Sequence, residues 1–274
     1  LVILICLWNC FFDVLTPKIT AIDEFYDEPK NSLDVVYIGS SNANSHFNSV
    51  LAYEKFGFTT GFMASESQHF SSMLHLLKES RNYQMPELYV IDITRIKDMV
   101  SVVGLEKFNY FDVRKTLDAM KLNMNKINAI YDLKKYVNLS SNQYITYFLS
   151  HLIYHNTWKK IDNSYFMNGD EGWYRFYKGF QYVPNANEIR PQEENIWHSD
   201  RLELETNSYV MLIDLINYII ENDLKVEFVI PDIYHSDYDI SIYNEVISII
   251  ESYRLNVINF STEHDFGLNH DADF

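Results

Sequence analysis

The stretch Asp34-Val35-Val36-Tyr37-Ile38-Gly39-Ser40-Ser41-Asn42-Ala43-Asn44-Ser45-His46 decides how the rest of the chain is read. Residues 34–38 run apolar with no polar alternation, the pattern of a parallel strand covered on both faces. Gly39 lets the backbone turn sharply without a Cβ clash, and Ser41, two positions on, opens the next helix. In an open parallel sheet, ligands bind beyond the carboxyl ends of the strands. Free N–H groups at a helix start suit a developing oxyanion, so Ser41 stands where a nucleophile belongs. The same position also suits a helix cap, and spacing alone does not choose between the two.

Working outward, residues 47–56 suit a short helix and Thr59 to Met63 a second strand. Ser67 to Asn82 reads helical, with Phe70, Met73, Leu74 and Leu77 on one face. Pro86 breaks that pattern, and Leu88 to Ile93 is a third buried strand. Lys225 to Ile230 is a fourth, stopped by Pro231; a helix over 241–254 leads to a fifth, Asn256 to Phe260. Strands alternating with helices predict an α/β fold, a doubly wound parallel sheet of about five strands. Residues 94–205 break the alternation and read as a mostly helical insertion over one edge of the sheet. Within it, Leu117, Met120, Met124, Ile127 and Tyr131 are spaced as one apolar helical face.

The chain has 274 residues, 47% hydrophobic and 22% charged, which excludes a disordered chain. Its formal charge of -16 disfavours a nucleic-acid partner. With only 8 Gly and 6 Pro but 21 Tyr and 18 Phe, the composition suits long helices packed on a sheet with wide aromatic surfaces. The only cysteines are Cys6 and Cys10, so the rest of the chain offers neither a disulfide nor a Cys metal cluster. Leu1 to Leu15 is apolar except for Asn9 and Asp13. It reads as the outer end of an N-terminal membrane anchor (residues 1–16), the competing reading being a buried core helix. A polar, acidic linker over 17–32 then leads into an α/β domain over 33–274.

The segment Asp34 to Phe47 resembles the first block of the SGNH (GDSL-like) hydrolase superfamily, with Gly39-Ser40-Ser41 in place of Gly-Asp-Ser. More narrowly it is similar to the membrane-anchored branch of bacterial cell-envelope polysaccharide loci, related to the D-alanine transfer protein of teichoic-acid modification. Asn31-Ser32-Leu33-Asp34, Ala64-Ser65-Glu66-Ser67-Gln68 and Met85-Pro86-Glu87-Leu88 fit that branch in order. So do the aromatic motifs Tyr154-His155-Asn156-Thr157-Trp158 and Tyr177-Lys178-Gly179-Phe180. The resemblance implies Ser41 as nucleophile and its own N–H and one near Ala64 as oxyanion hole; Gly39, Asn42, Gln68 and Asp92, at the same edge of the sheet, are further oxyanion or substrate candidates. Ala64 stands where relatives often carry Gly. The superfamily's base is an Asp-x-x-His near the C-terminus; in this branch it follows a stretch like Asp271-Ala272-Asp273-Phe274, so the expectation is that it lies downstream of Phe274. An α/β-hydrolase is disfavoured because Ala43 stands where Gly-x-Ser-x-Gly needs its second glycine.

Other candidates have competing readings. Asp232-Ile233-Tyr234-His235 is literally Asp-x-x-His, but it comes early for the superfamily block and suits polar loop residues. Asp92 either orients a substrate hydroxyl or caps the segment after its strand. Gln68 is a candidate donor. His155 and Trp158 form either a sugar-stacking wall or a buried aromatic cluster. His46 reads as a helix flank, and the His264, Asp265, His270, Asp271 group lies in too open and acidic a tail for zinc; no metal or cofactor is expected. The resulting expectation is serine-dependent acyl transfer or ester hydrolysis on cell-envelope polysaccharide, on the extracytoplasmic side. A multispanning membrane acyltransferase would be the donor partner. The alternatives are a non-catalytic binding or assembly module of the same fold and a soluble carbohydrate esterase with a cleaved leader.

Overall fold

The computed structural model describes residues 21–97, 110–136, 141–154, 156, 159, 178–180, 197–233 and 235–262. Five strands form one sheet: β1 (Val35–Gly39), β2 (Thr60–Ala64), β3 (Leu88–Asp92), β4 (Val226–Ile230) and β5 (Asn256–Asn259). Their order is β2-β1-β3-β4-β5, and every pairing is parallel. This is the order of an open sheet whose switch point lies between β1 and β3. Val36 and Ile38 face one side with Met63, Ile91, Phe228 and Ile230, while Tyr37, Phe62, Ala64 and Val229 face the other. Both sides are buried, which is why the strands read as unbroken apolar runs.

Helices cover both faces. On the larger core lie α4 (Met73–Ser80), α9 (Thr206–Glu221) and α10 (Asp237–Ser252). In α9, Met211, Leu212, Leu215, Ile216 and Ile219 recur three and four apart and are buried as one stripe. A capping box starts α10: the Ser236 hydroxyl accepts from Asp239 N–H and the Asp239 carboxylate from Ser236 N–H. On the opposite face lie α2 (Ser41–His46), the helix that Ser41 opens, and α3 (Ser49–Phe56), the short helix expected over 47–56, which starts at its cap Asn48. The helix expected from Ser67 begins as a turn and a 3-10 segment, Phe70–Ser72, before α4.

Two expectations are corrected. Part of the stretch read as linker is α1 (Ala21–Asp27), with Ala21, Ile22 and Phe25 buried. It packs on β2, the end strand of the sheet, and an end strand needs cover for its unpaired backbone. The stripe from Leu117 to Tyr131 belongs to two helices, α5 (Tyr110–Ala119) and α6 (Met124–Tyr136). Asn123 Oδ1 accepts from Lys126 N–H and starts a new helix, which turns Met124 and Tyr131 outward and buries Ala129, Ile130 and Leu133. With α7 (Ser141–Phe148) and α8 (His151–Tyr154) these helices form the described part of the insertion. It packs on α4 and the 3-10 segment rather than chiefly on strands.

Polar contacts pin the insertion in place. The Glu79 carboxylate, fully buried on α4, accepts from the Tyr26 hydroxyl and the Asn123 and Asn125 amides at 2.8 to 3.1 Å. Farther out, Arg114 pairs with Asp118 at 2.8 Å and donates to Thr146, while Tyr154 donates to Asp118. Among the described residues no helix is long and apolar enough to cross a membrane; the anchor expected over 1–16 lies outside them.

Candidate active site at the carboxyl edge of the sheet

Gly39 ends β1 beside Ala64 of β2 in register. A Cβ on Gly39 would sit 2.8 Å from Asp92 Cβ and 3.1 Å from Ala43 Cβ, so close approach of β1, β3 and α2 demands glycine here. Ser40 follows, buried at 2% exposure, with extended φ and ψ of -87° and -160° that put Ser41 at the first position of α2. Ser41 and Asn42 are half-buried. The Ser41 hydroxyl has no hydrogen bond among the described residues; its carbonyl accepts from Ser45 Oγ at 3.0 Å. Because α2 has only six residues, it carries little of the dipole expected of a longer helix.

Beneath Ser41 runs a chain of polar groups across the switch point. Asp92 ends β3 with no solvent exposure. Its Oδ1 accepts from Thr94 N–H at 2.8 Å and from the Thr94 hydroxyl at 2.6 Å, and its Oδ2 from the Ser40 hydroxyl at 3.4 Å. Asn42 Nδ2 donates to Thr94 Oγ1 at 3.4 Å, and Tyr243 of α10 donates to the Thr94 carbonyl at 3.0 Å. Burial raises the Asp92 pKa, partly offset by the Thr94 and Ser40 hydrogen bonds and the charge of Arg95. The carboxylate thus caps the turn over 94–97 and ties β1 to β3 from below.

The remaining candidates separate. Ala64 is fully buried beside Gly39. Gln68, also fully buried, donates to the Met63 carbonyl and Met73 sulfur and accepts from Ser65 Oγ. Its amide braces the turn after β2. His46 ends α2, exposed. Asp232 and His235 follow β4, two strands from β1, a lateral separation of about 10 Å. His235 is 2% exposed, its ring edge-on to Tyr243 at 5.0 Å and to Trp197 at 6.2 Å, with Nε2 3.3 Å from the Pro231 carbonyl. Burial lowers its pKa to about 4. That imidazole is a packed, neutral ring rather than a base reaching toward Ser41. His155, Trp158, His264, Asp265, His270 and Asp271 lie outside the described residues, and among those described no group of three or more His, Cys, Asp or Glu could hold a metal ion.

Three polar residues of this edge of the sheet are not among the candidates the sequence offers. Thr94 is the junction of the Asp92 chain; its signal was Asp-x-Thr after a buried strand, an Asx turn. Asn44 lies one helical turn beyond Ser41, on the same side of α2. It is 1% exposed, and its Oδ1 has no partner among the described residues. His69, in the segment after β2, shares 2.7 Å with Ser71 Oγ; burial and then the charge of Arg95 lower its pKa to about 4. No protein-family model matches the chain, and no curated protein matches it, so the resemblance to the SGNH superfamily rests on the ordered motifs themselves.

Proposed function

We propose that the chain is an SGNH-like module that handles ester-linked acyl groups on an envelope polysaccharide. Ser41 Oγ bonds to the acyl carbon, the bond to the donor's leaving oxygen breaks, and the Ser41 proton passes through a base to that oxygen. The Ser41 ester is then transferred to a sugar hydroxyl or to water. By the same reading, residues 1–16 anchor the domain on the extracytoplasmic side, a multispanning acyltransferase supplies the acyl group, and the base is an Asp-x-x-His pair as in the superfamily. The observation that supports this best is a half-buried serine at the β1/β3 switch point, its hydroxyl without a hydrogen bond among the described residues, braced from below by the Asp92 chain. The test is mass spectrometry of the protein after incubation with p-nitrophenyl acetate. We expect acetyl on the Ser41 peptide and none in Ser41→Ala. An unmodified Ser41 peptide, or unchanged turnover in Ser41→Ala, overturns the assignment.

A second reading has its own support. No base is bonded to Ser41 among the described residues, and His235 is packed away from it. A serine without its base is slower by orders of magnitude. On that reading the crevice binds an acylated polysaccharide without turning it over. Undiminished binding of acetylated polysaccharide by Ser41→Ala, with no ester turnover in the parent, would select it.

A further inference from the structure

The course of α1 bears on which way the crevice faces. Its C-terminal end is fixed at the amino edge of the sheet: Tyr26 packs edge-on to Tyr83 at 4.9 Å, and the Pro29 carbonyl accepts from Gln84 Nε2 at 2.9 Å. Gln84 Oε1 in turn accepts from Ser32 N–H at 2.9 Å, just before β1 begins. Phe25 lies 3.3 Å from where a Gly61 Cβ would stand, near the start of β2. From there α1 runs back along the end strand, antiparallel to it, rising about 1.5 Å per residue. Ala21 therefore lies toward the carboxyl edge, in the buried cluster that holds Tyr37, Phe62 and Ala64 of the sheet and Ala43 of α2; Ala64 pairs with Gly39 in register.

Only Pro17 to Thr20 separate this point from the apolar segment read as an anchor. Four residues reach at most about 14 Å. The geometry points to a candidate site that faces the bilayer: the carboxyl edge carrying Ser41 is the end of the domain held against the membrane, and the amino edge points away. This rests on the anchor proposed above. It deepens that proposal by naming the partner surface, so that the acyl donor or acceptor is one presented within the membrane's surface layer rather than a polymer far out in the wall. Had the whole of 17–32 been a free linker, the crevice would have had no fixed orientation.

The test places a fluorophore at each end of the domain in the full chain, with Cys6→Ser and Cys10→Ser to leave one thiol. Glu66→Cys reports the carboxyl edge, where Glu66 is 56% exposed; Met85→Cys reports the amino edge, where Met85 is 78% exposed. The proteins are reconstituted in phosphatidylcholine vesicles carrying a nitroxide-headgroup lipid. Several-fold stronger quenching at position 66 than at 85 is expected. Equal quenching, or more at 85, overturns the orientation while leaving the anchor standing. Protein that does not float with the vesicles overturns both. Loss of Ser41 acetylation touches neither, because it addresses the nucleophile alone.

Discussion

The two ends of the carboxyl edge carry the same kinds of residue and treat them differently. At β1 and β3, Ser41, Asn42 and Asn44 sit on a short helix above a buried carboxylate, with one hydroxyl half-open and one amide oxygen unpartnered among the described residues. At β4 and β5, His235 and Ser261 converge on the Pro231 carbonyl at 3.3 and 3.2 Å, and Trp197 and Tyr243 close over the imidazole. At the first end a hydroxyl and an amide oxygen are without a hydrogen bond among the described residues; at the second, one imidazole nitrogen and one hydroxyl are turned onto a single backbone carbonyl. Residue type is therefore a poor guide to chemistry along this edge, and the state of each donor and acceptor a better one.

The largest effect expected is at the closed end, in acid. His235 has an ordinary pKa near 6.5 when unfolded and about 4 when folded. Its contribution to stability is complete above pH 6.5 and is lost as the unfolded chain takes up the proton the folded ring refuses. Between pH 7.5 and 4 that loss is about 3 kcal/mol. His235→Phe keeps the ring contacts, and the Pro231 carbonyl retains Ser261 Oγ and Ile233 N–H as donors. Urea unfolding across that range is expected to show a flatter loss of stability in the variant. The same variant should keep Ser41 acetylation, whereas loss of a general base would lower the rate on the order of 10²- to 10⁴-fold. An unchanged acid slope, or a rate loss of that size, would erase the distinction between the two ends.

How much of this was legible depended on which forces acted locally. The strands showed because burial on both faces leaves an unbroken apolar run, and Pro86 and Pro231 marked their limits. α1 did not show, because Asp23, Glu24 and the flanking prolines look like a solvated connector; the signal was Ile22 and Phe25, three apart. The Leu117 to Tyr131 stripe had the right period but ignored Asn123, a cap in its middle. Ser41 was placed at its edge by Gly39 and the strand before it. Its surroundings were not legible: Thr94 meets Asn42 only because strands distant in sequence end side by side, and the burial of Asn44, one turn from Ser41, shows only in the packed fold. The partners of Gln68 are hidden for the same reason, its amide being bonded to Met63 and Ser65 across the turn that follows β2.

A smaller effect tests how tightly the open end is built. In Gly39→Ala the new methyl meets Asp92 Cβ and Ala43 Cβ, atoms held by their own backbones rather than by flexible side-chain ends. Relief requires β3 or α2 to shift, and overpacking of this kind costs about 1–3 kcal/mol. Chemical denaturation should show a loss in that range, with Ser41 acetylation reduced because α2 moves with Ala43. A neutral Gly39→Ala would mean that the β1, β3 and α2 junction is looser than its distances say.

The smallest effect separates a brace from a base at Asp92. Its folded pKa lies above the unfolded one because burial disfavours the charge. The sign is therefore opposite to that of a salt-bridged carboxylate: stability is fullest below the unfolded value and declines as pH rises toward the folded one. Asp92→Asn keeps one oxygen to accept from Thr94 N–H and its hydroxyl, and puts an NH2 group where the second oxygen accepted from Ser40, whose hydroxyl can turn to accept from it. Exchanging a charged acceptor for a neutral one should change stability at pH 7 by no more than about 1 kcal/mol. The balance should move in the variant's favour as pH rises above the unfolded value. If Asp92 supports Ser41 only by holding Thr94 and Asn42 in place, Asp92→Asn retains acetylation and Thr94→Val, which loses the Asn42 contact, does not. The reverse order would make the carboxylate a participant in proton transfer, and the polar chain beneath Ser41 would then be part of the reaction rather than its support.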